Sequence, residues 1–212
     1  GLVKENKQVI VVLFGGSPVE LPFAGKVSAI LNLYLPGQSG GRACANLLFG
    51  KANPCGRLAE TWPIKYEDVP FGETFGKSEN EIYKESVFVG YRYYTTAKKQ
   101  VRYPFGYGLS YTSFAWSDMV MSEEGDRFTV SCRVKNTGTR VGAEVVQLYV
   151  SAPESKVYKP LRELRAFQKV RLAAGEEKEV RLTVNKDALR YFDVQKRAWT
   201  MEGGEYRFEL CS

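Results

Sequence analysis

One alternating stretch decides the fold of the second half of this chain, and it reads Phe128-Thr129-Val130-Ser131-Cys132-Arg133-Val134. Its apolar residues occupy every second position, and the turn sequence Lys135-Asn136-Thr137-Gly138 follows directly. Successive side chains of a β-strand point to opposite faces, so this pattern is typical of a strand with one face in a core. We therefore predict a strand over residues 128–134.

Similar alternation recurs further along the chain, over Glu144–Val150, Glu179–Val184 and Tyr206–Leu210. Gly175 and Gly203-Gly204 mark turns before the last two of these segments. Short strands separated by turn signals over about a hundred residues are typical of an immunoglobulin-like sandwich. Residues 112–212, called the sandwich below, are predicted to form this all-β fold and to fold independently.

The first part of the chain, residues 1–66, is called the segment below. Its apolar residues form continuous runs instead of alternating with polar ones. Two apolar runs, Gln8–Phe14 and Val27–Leu35, are typical of parallel strands covered on both faces. One helix is predicted to begin at Ser17-Pro18 and a second to cover Gly41–Phe49. Two strands cannot close a sheet with two covered faces, so we expect further strands from outside this chain. The predicted fold class is mixed: a partial α/β sandwich segment, then an all-β sandwich.

Residues 67–111, called the linker below, are rich in Gly, Pro, Tyr and Phe and show no lasting periodicity. Non-repetitive stretches of this length are functional loops or linkers. Aromatic side chains are costly to leave in water, so we expect those of the linker to cover a neighbouring surface. The residues predicted to make inter-domain packing contacts are Phe88, Tyr91, Tyr93 and Tyr94.

Composition and charge argue against several classes of function. The net charge is +6, but Lys and Arg are dispersed among acids, which favours a solvated surface over a phosphate-binding patch. We therefore predict no nucleic-acid partner. No apolar run reaches the roughly 18 residues of a membrane-spanning helix, so no membrane partner is predicted. The chain contains no His, which removes Ser-His-Asp, Cys-His and His–metal chemistry, and we predict no metal and no cofactor.

The four cysteines show no spacing typical of a zinc site. Cys132 shares the apolar face of its predicted strand, whereas Cys211 has the opposite parity to Phe208 and Leu210 in the last strand. These parities disfavour a bridge between Cys132 and Cys211. Free thiols and a cytoplasmic location are therefore predicted, with a secreted or periplasmic location as the alternative.

Carboxylates are the remaining candidates for catalysis, because a glycosidase needs two of them facing each other about 5–10 Å apart. Candidates in predicted loops include Glu20, Glu60, Asp68, Glu73 and Glu85. Each also has a structural explanation; Glu20, for example, lies in the first turn of a predicted helix, where a negative charge suits the macrodipole. No pair is singled out, so no catalytic or substrate-binding residue is predicted in this chain.

A series of motifs runs through nearly the whole chain. It begins with Gly16-Ser17-Pro18-Val19-Glu20-Leu21-Pro22 and continues with Pro36-Gly37-Gln38 and Gly56-Arg57-Leu58. The linker adds Tyr83-Lys84-Glu85-Ser86-Val87-Phe88-Val89-Gly90-Tyr91-Arg92-Tyr93-Tyr94 and Tyr103-Pro104-Phe105-Gly106-Tyr107-Gly108-Leu109-Ser110-Tyr111. In order and spacing these motifs resemble glycoside hydrolase family 3, where the last of them leads into a fibronectin type III-like domain.

The resemblance implies a retaining β-glycosidase, most like the β-glucosidases that hydrolyse terminal β-D-glucosyl residues. In that family the nucleophile is an Asp of a separate TIM-barrel domain, and the acid/base Glu lies in a Gly-Glu-Gly-x-Asp-Arg stretch. Neither motif matches this chain. The resemblance thus implies a C-terminal fragment that supports and docks to the parent enzyme and is inactive alone. Its implied partners are the missing TIM-barrel domain and, through the parent, a β-glucoside substrate whose sugar and linkage are not fixed.

A carbohydrate-binding or protein-interaction module is the alternative prediction. Exposed aromatic rings stack on sugars, and the candidates are Trp62, Trp116 and Trp199. Burial in a core or a linker is the more common role of such residues. A third possibility is assembly with separately made partner domains.

Overall fold

The computed structural model describes residues 2–5 and 8–212. The segment contains helix α1 (Leu2–Glu5), strands β1 (Ile10–Leu13) and β2 (Ala29–Asn32), and helix α2 (Gly40–Leu48). β1 and β2 pair in parallel, with Val11 opposite Ile30. Both predicted strands and the predicted second helix are confirmed, each with shifted ends.

The helix predicted to begin at Ser17 is wrong. Residues 17–20 are irregular, and a single 3-10 turn (Ala24–Lys26) follows them. Pro22 explains the difference, because it cannot donate the helical N–H bond and it disfavours the α conformation at Leu21.

The segment leaves much of its apolar surface open to water. No residue of β1 or β2 is buried within this chain, so the cover predicted for both strand faces would have to come from the further strands expected outside it. Leu35 and Phe49, which follow β2 and α2, are 78% and 80% exposed. The described residues supply no layer that covers these strands.

The linker contains more regular structure than its sequence predicts. Strand β3 (Trp62–Pro63), at the end of the segment, pairs with β4 (Val101–Tyr103), and helix α3 (Tyr91–Thr96) lies between them. Short 3-10 turns cover Tyr66–Asp68 and Gly72–Thr74. α3 has fewer than two turns, which is too short to show a period and too short to be stable without tertiary contacts.

The sandwich consists of two antiparallel sheets. Its strands are β5 (Phe114–Glu124), β6 (Arg127–Asn136), β7 (Gly142–Ser151), β8 (Glu163–Leu172), β9 (Glu177–Asn185), β10 (Tyr191–Asp193), β11 (Ala198–Thr200) and β12 (Arg207–Cys211). One sheet has the order β5-β6-β9 and the other β12-β7-β8, while β10 and β11 form a separate hairpin. Three of the four strands predicted by alternation lie within β6, β7 and β9, and the fourth overlaps β12, shifted by one residue. All four are confirmed.

The core of the sandwich lies between the two sheets and is closely packed. Val134, Val146, Leu148 and Leu172 are completely buried in it. Core residues occupy every second position of their strands, as Val146 and Leu148 do in β7, which a two-layer fold requires.

Strands β5 and β8 were not predicted, because irregular registers interrupt their alternation. β5 pairs with β6 at Ser117 and next at Val120, with Asp118 in the left-handed conformation between them (φ 51°). In β8, Ala166 and Leu164 face consecutive residues of β7, which leaves Arg165 as the extra residue of a bulge.

The cysteines are placed as the alternation of side chains along their strands predicts, and Cys132 and Cys211 are not bridged. Cys132 is buried in the core, and Cys211 is half-buried beside the core residue Leu210. Cys132 pairs with Val180 in one sheet, whereas Cys211 pairs with Gln147 in the other. All four cysteines are free thiols, and burial raises the pKa of both Cys132 and Cys211.

Candidate functional site: the junction between the segment, the linker and the sandwich

Strand β7 is buried on both sides, which is unusual for a sandwich strand. Val146 and Leu148 fill the core, while Gln147 and Tyr149 have the opposite parity and are also buried. The outer face of this sheet therefore carries a second contact layer. Linker residues supply it.

Tyr91 joins the linker to this outer face. Its ring stacks on Phe105 with centroids 4.9 Å apart and meets Tyr149 edge-on at 5.8 Å. Its hydroxyl oxygen accepts the backbone N–H of Leu164 at 2.7 Å. One side chain thus holds two linker elements against two strands of the sandwich.

The other predicted packing residues occupy different positions. Phe88 lies against Tyr158 of the sandwich, with ring centroids 4.7 Å apart. Tyr93 contacts Tyr94 edge-on at 5.2 Å. Tyr94 is buried, and this burial, followed by the nearby Tyr93 and Asp68, raises the pKa of its phenol.

Glycines let the linker approach closely. Gly106 has φ +83°, and a Cβ at this position would lie 2.6 Å from the Gln147 Oε1 atom. A Cβ on Gly108 would overlap the carbonyl oxygen of Gly56. A side chain at Gly108 would therefore push the linker away from the segment backbone, whereas one at Gly106 would displace the Gln147 amide and strain a backbone conformation that favours glycine.

An ion pair between Arg57 and Glu144 connects the segment directly to the sandwich. The two side chains are only 10% and 7% exposed, so the pair is shielded from solvent. The Glu144 carboxylate also accepts the Val145 N–H at 2.7 Å. Loss of either partner would leave a buried charge unpaired, which makes this pair a strong constraint on how the two parts fit.

Asn53 forms a second connection. Its side-chain amide donates to the carbonyl of Val141 at 3.0 Å. Its Oδ1 atom accepts the Tyr111 N–H at 2.8 Å and the Ser110 hydroxyl at 3.0 Å. The Asn53 amide therefore connects the segment both to the end of the linker and to the sandwich.

The C-terminal end of α2 is completed by groups from outside the segment. The Tyr111 hydroxyl donates to the Leu47 carbonyl at 3.1 Å, and the Arg140 guanidinium donates to the Gly50 carbonyl at 3.2 Å. A helix end has carbonyls without helical partners, and a cation there also suits the helix dipole.

Sequence reasoning missed Asn53, Arg57 and Glu144. One signal was present, because Glu144 shares its parity with the core residues Val146 and Leu148. A carboxylate on the apolar face of a strand requires a buried partner. The motif Gly56-Arg57-Leu58 distinguishes Arg57 from the other cationic residues, thirty in all, but nothing in the sequence names Glu144 as its partner.

Two of the carboxylates considered for catalysis, Glu20 and Asp68, accept hydrogen bonds from the backbone, which is a structural role. Glu20 accepts the backbone N–H of Tyr66 at 2.7 Å, and Asp68 accepts that of Lys65 at 3.3 Å. Across residues 2–5 and 8–212, no group of three or more Cys, Asp or Glu side chains is placed to hold a metal. Within the same residues, no helix has the length and apolarity to cross a membrane.

The three tryptophans differ in exposure. Trp62 is buried at the end of the segment, and Trp116 packs on the edge of the sandwich core. Trp199, on the β10–β11 hairpin, is 65% exposed and meets Phe192 edge-on at 5.8 Å. Trp199 is thus the most exposed of the three tryptophans.

The fold and the junction define a class of protein: an α/β segment fastened through an aromatic linker to a fibronectin-type sandwich. The family model of the glycosyl hydrolase family 3 C-terminal domain matches residues 1–111, and that of the fibronectin type III-like domain matches residues 144–212. The chain belongs to glycosyl hydrolase family 3.

Known relatives of this chain are β-glucosidases. It is 45% identical over 206 residues to thermostable beta-glucosidase B of Acetivibrio thermocellus, covering 95% of this chain and 27% of that protein. It is 41% identical to beta-glucosidase BoGH3A of Bacteroides ovatus, covering all of this chain and 30% of that protein.

A solved structure gives the same picture. The beta-glucosidase of Kluyveromyces marxianus superposes with a TM-score of 0.95 at 38% identity, covering 99% of this chain and 25% of that one. The chain thus spans between a quarter and a third of the length of these relatives.

Proposed function

We propose that this chain acts as the C-terminal part of a β-glucosidase, and that it supports the catalytic parts without supplying a catalytic residue. The observation that carries the proposal is its alignment over 95% of its length with a quarter of a β-glucosidase at 45% identity. The substrate of the whole enzyme would be a terminal β-D-glucoside.

The junction supports a bracing role. Three kinds of contact connect the segment, the linker and the sandwich. They are the shielded ion pair of Arg57 with Glu144, the hydrogen bonds of the Asn53 amide and the stacked aromatic rings of Tyr91 and Phe105. We infer that Phe88, Tyr91, Tyr93 and Tyr94 act in inter-domain packing, with Tyr91 making the most specific contacts. Such a joint would hold the segment in a fixed orientation for docking.

The exposed apolar face of the segment supports docking to the missing TIM-barrel domain and to further strands of the parent. Phe14 and Leu35 follow the carboxyl ends of adjacent parallel strands, and both are exposed. Large apolar side chains collected at one sheet edge are typical of an interface. The parent enzyme would cover them.

The proposal is tested by complementation. The chain alone should hydrolyse an aryl β-glucoside no faster than a blank without enzyme. The rest of the parent, made without this chain, should gain activity when the chain is added in trans. Turnover by the chain alone, or no gain on mixing, would contradict the proposal.

Carbohydrate binding is the second candidate, and the exposure of Trp199 favours it. If Trp199 stacks on sugar rings, cello-oligosaccharides should change the tryptophan fluorescence of the chain, and Trp199→Ala should abolish the change. Trp116→Phe is the matched control. A bracing role alone predicts no change.

A cytoplasmic location stays a proposal. The free thiols of all four cysteines support it, since oxidising compartments favour disulfides.

A further inference from the structure

A small pocket lies where the three parts of the chain meet. Thr61 comes from the segment, Tyr94 and Lys99 come from the linker, and Tyr149 and Arg162 come from the sandwich. Its volume is about 70 Å³. A single water needs only about 10–15 Å³, so the space admits several waters or one small polyatomic ion.

The pocket lining is cationic. Arg162 and Lys99 contribute to it, and no Asp or Glu is among the described residues that line it. Arg162 is fixed in place because its guanidinium lies 4.7 Å above the Tyr149 ring and its Nη1 atom donates to Glu209 at 3.0 Å. Glu209 is more than half exposed, so it neutralises the outer side of the guanidinium rather than the pocket.

Two polar groups of the lining have no partner in the described structure. Thr61 is 93% buried, and its Oγ1 atom forms no hydrogen bond. The Arg162 Nε atom is also buried without an acceptor. An arginine Nε–H can only donate, and leaving a buried donor unpaired is costly. The Thr61 hydroxyl can donate as well, so the lining holds two donors that no described group accepts.

We propose that this pocket binds a small oxyanion of carboxylate or phosphate size, which accepts hydrogen bonds from Arg162 and Thr61 and is held by the charge of Lys99. The anion comes either from solution or from an Asp or Glu side chain of the rest of the parent. In both cases it links the segment, the linker and the sandwich through one negative charge.

The first test measures binding to the chain itself. At constant ionic strength, phosphate or acetate should raise the melting temperature saturably, whereas chloride should not. Equilibrium dialysis with labelled phosphate should give one site per chain. If neither oxyanion raises the melting temperature more than chloride does and dialysis finds no site, the proposal is overturned.

Variants separate this pocket from general charge effects. Thr61→Val keeps the shape of the side chain, and Lys99→Gln removes a charge from an exposed side chain. Both should weaken phosphate binding about tenfold or more. Lys135→Gln, on the other sheet, removes the same charge from another exposed lysine and should leave binding unchanged. Thermal unfolding without phosphate checks that each variant is folded. Equal weakening of phosphate binding in folded Lys135→Gln and Lys99→Gln would overturn the proposal.

The two sources of the anion are distinguished in the full-length parent. An oxyanion from solution should stabilise both the chain and the parent. A carboxylate of the parent should fill the pocket already, so that phosphate stabilises the chain alone. Either result supports the site and assigns its occupant.

Discussion

The sandwich and the segment differ in how much of their apolar surface each buries without help from other parts of the protein. The sandwich encloses a continuous core in which Val134, Val146, Leu148 and Leu172 are inaccessible to water. The segment has two parallel strands without a buried residue and exposes Leu35 and Phe49. The sandwich thus derives its stability from within, whereas the segment depends on surfaces outside itself. The junction is the first of these surfaces.

The largest expected effect tests the self-sufficient part. Leu148→Ala should lower the free energy of unfolding by about 4 kcal/mol, because it opens a cavity in a closely packed core. Urea unfolding followed by circular dichroism measures the change. Leu35→Ala removes the same atoms from an exposed site and should cost less than about 0.5 kcal/mol. Equal costs would contradict the contrast between the two regions.

The second prediction concerns the dependence of the segment on the sandwich. Arg57→Met should destabilise the contact between them by about 3 kcal/mol, since Glu144 would keep a buried, unpaired charge. Hydrogen exchange should rise over residues 40–58 and stay low in the β6 and β7 strands.

A double variant provides the control. Arg57→Met with Glu144→Leu replaces the pair by apolar side chains and should recover most of the loss. If the double variant is as unstable as Arg57→Met, the ion pair is not what couples the two parts.

Tyr91→Phe should have a smaller effect, of about 1–2 kcal/mol. The ring contacts remain, but the Leu164 N–H loses its acceptor. Thermal unfolding of the chain measures the loss. Tyr93→Phe makes the same change in the same helix and should cost less than half as much. The reverse order would show that Tyr91 is not the main linker contact.

The smallest effect lies inside the sandwich and depends on pH. Partial burial acts to raise the pKa of Glu202, but hydrogen bonds from Ser155, Lys159 and the Lys156 N–H outweigh it and lower the pKa to about 2. The unfolded chain therefore binds the proton more readily than the folded one. This contribution to stability is complete above about pH 4.5 and is lost as the pH falls towards 2.

Glu202→Gln isolates this contribution. It should cost about 1 kcal/mol near neutral pH, a modest value because solvent screens a partly exposed carboxylate. Between pH 4.5 and pH 2 the stability of Glu202→Gln should fall less steeply than that of the parent chain. Parallel pH profiles would show that Glu202 does not stabilise the fold.

The contrast between the sandwich and the segment also explains which parts of the fold can be predicted from the sequence. Strands such as β6 follow from alternation because one core decides which residues face inward. Alternation does not predict β5 and β8, because an irregular register interrupts the two-residue period of each strand. In β8 the extra residue is Arg165. The first predicted helix fails because a local start signal at Ser17 is opposed by Pro22. The junction is the least predictable part, because Arg57 and Glu144 meet across 87 positions that no local pattern relates.

Helix α2 has a consequence for the order of events during synthesis. The groups that complete its last turn, the Tyr111 hydroxyl and the Arg140 guanidinium, lie 64 and 90 positions beyond the carbonyls they bind. A ribosome adding roughly 5–20 residues per second would deliver them several seconds after the helix itself has emerged. In the nascent chain, we therefore expect the end of α2 to fray until the first strands of the sandwich arrive, so that the later half of this chain finishes the folding of the earlier half.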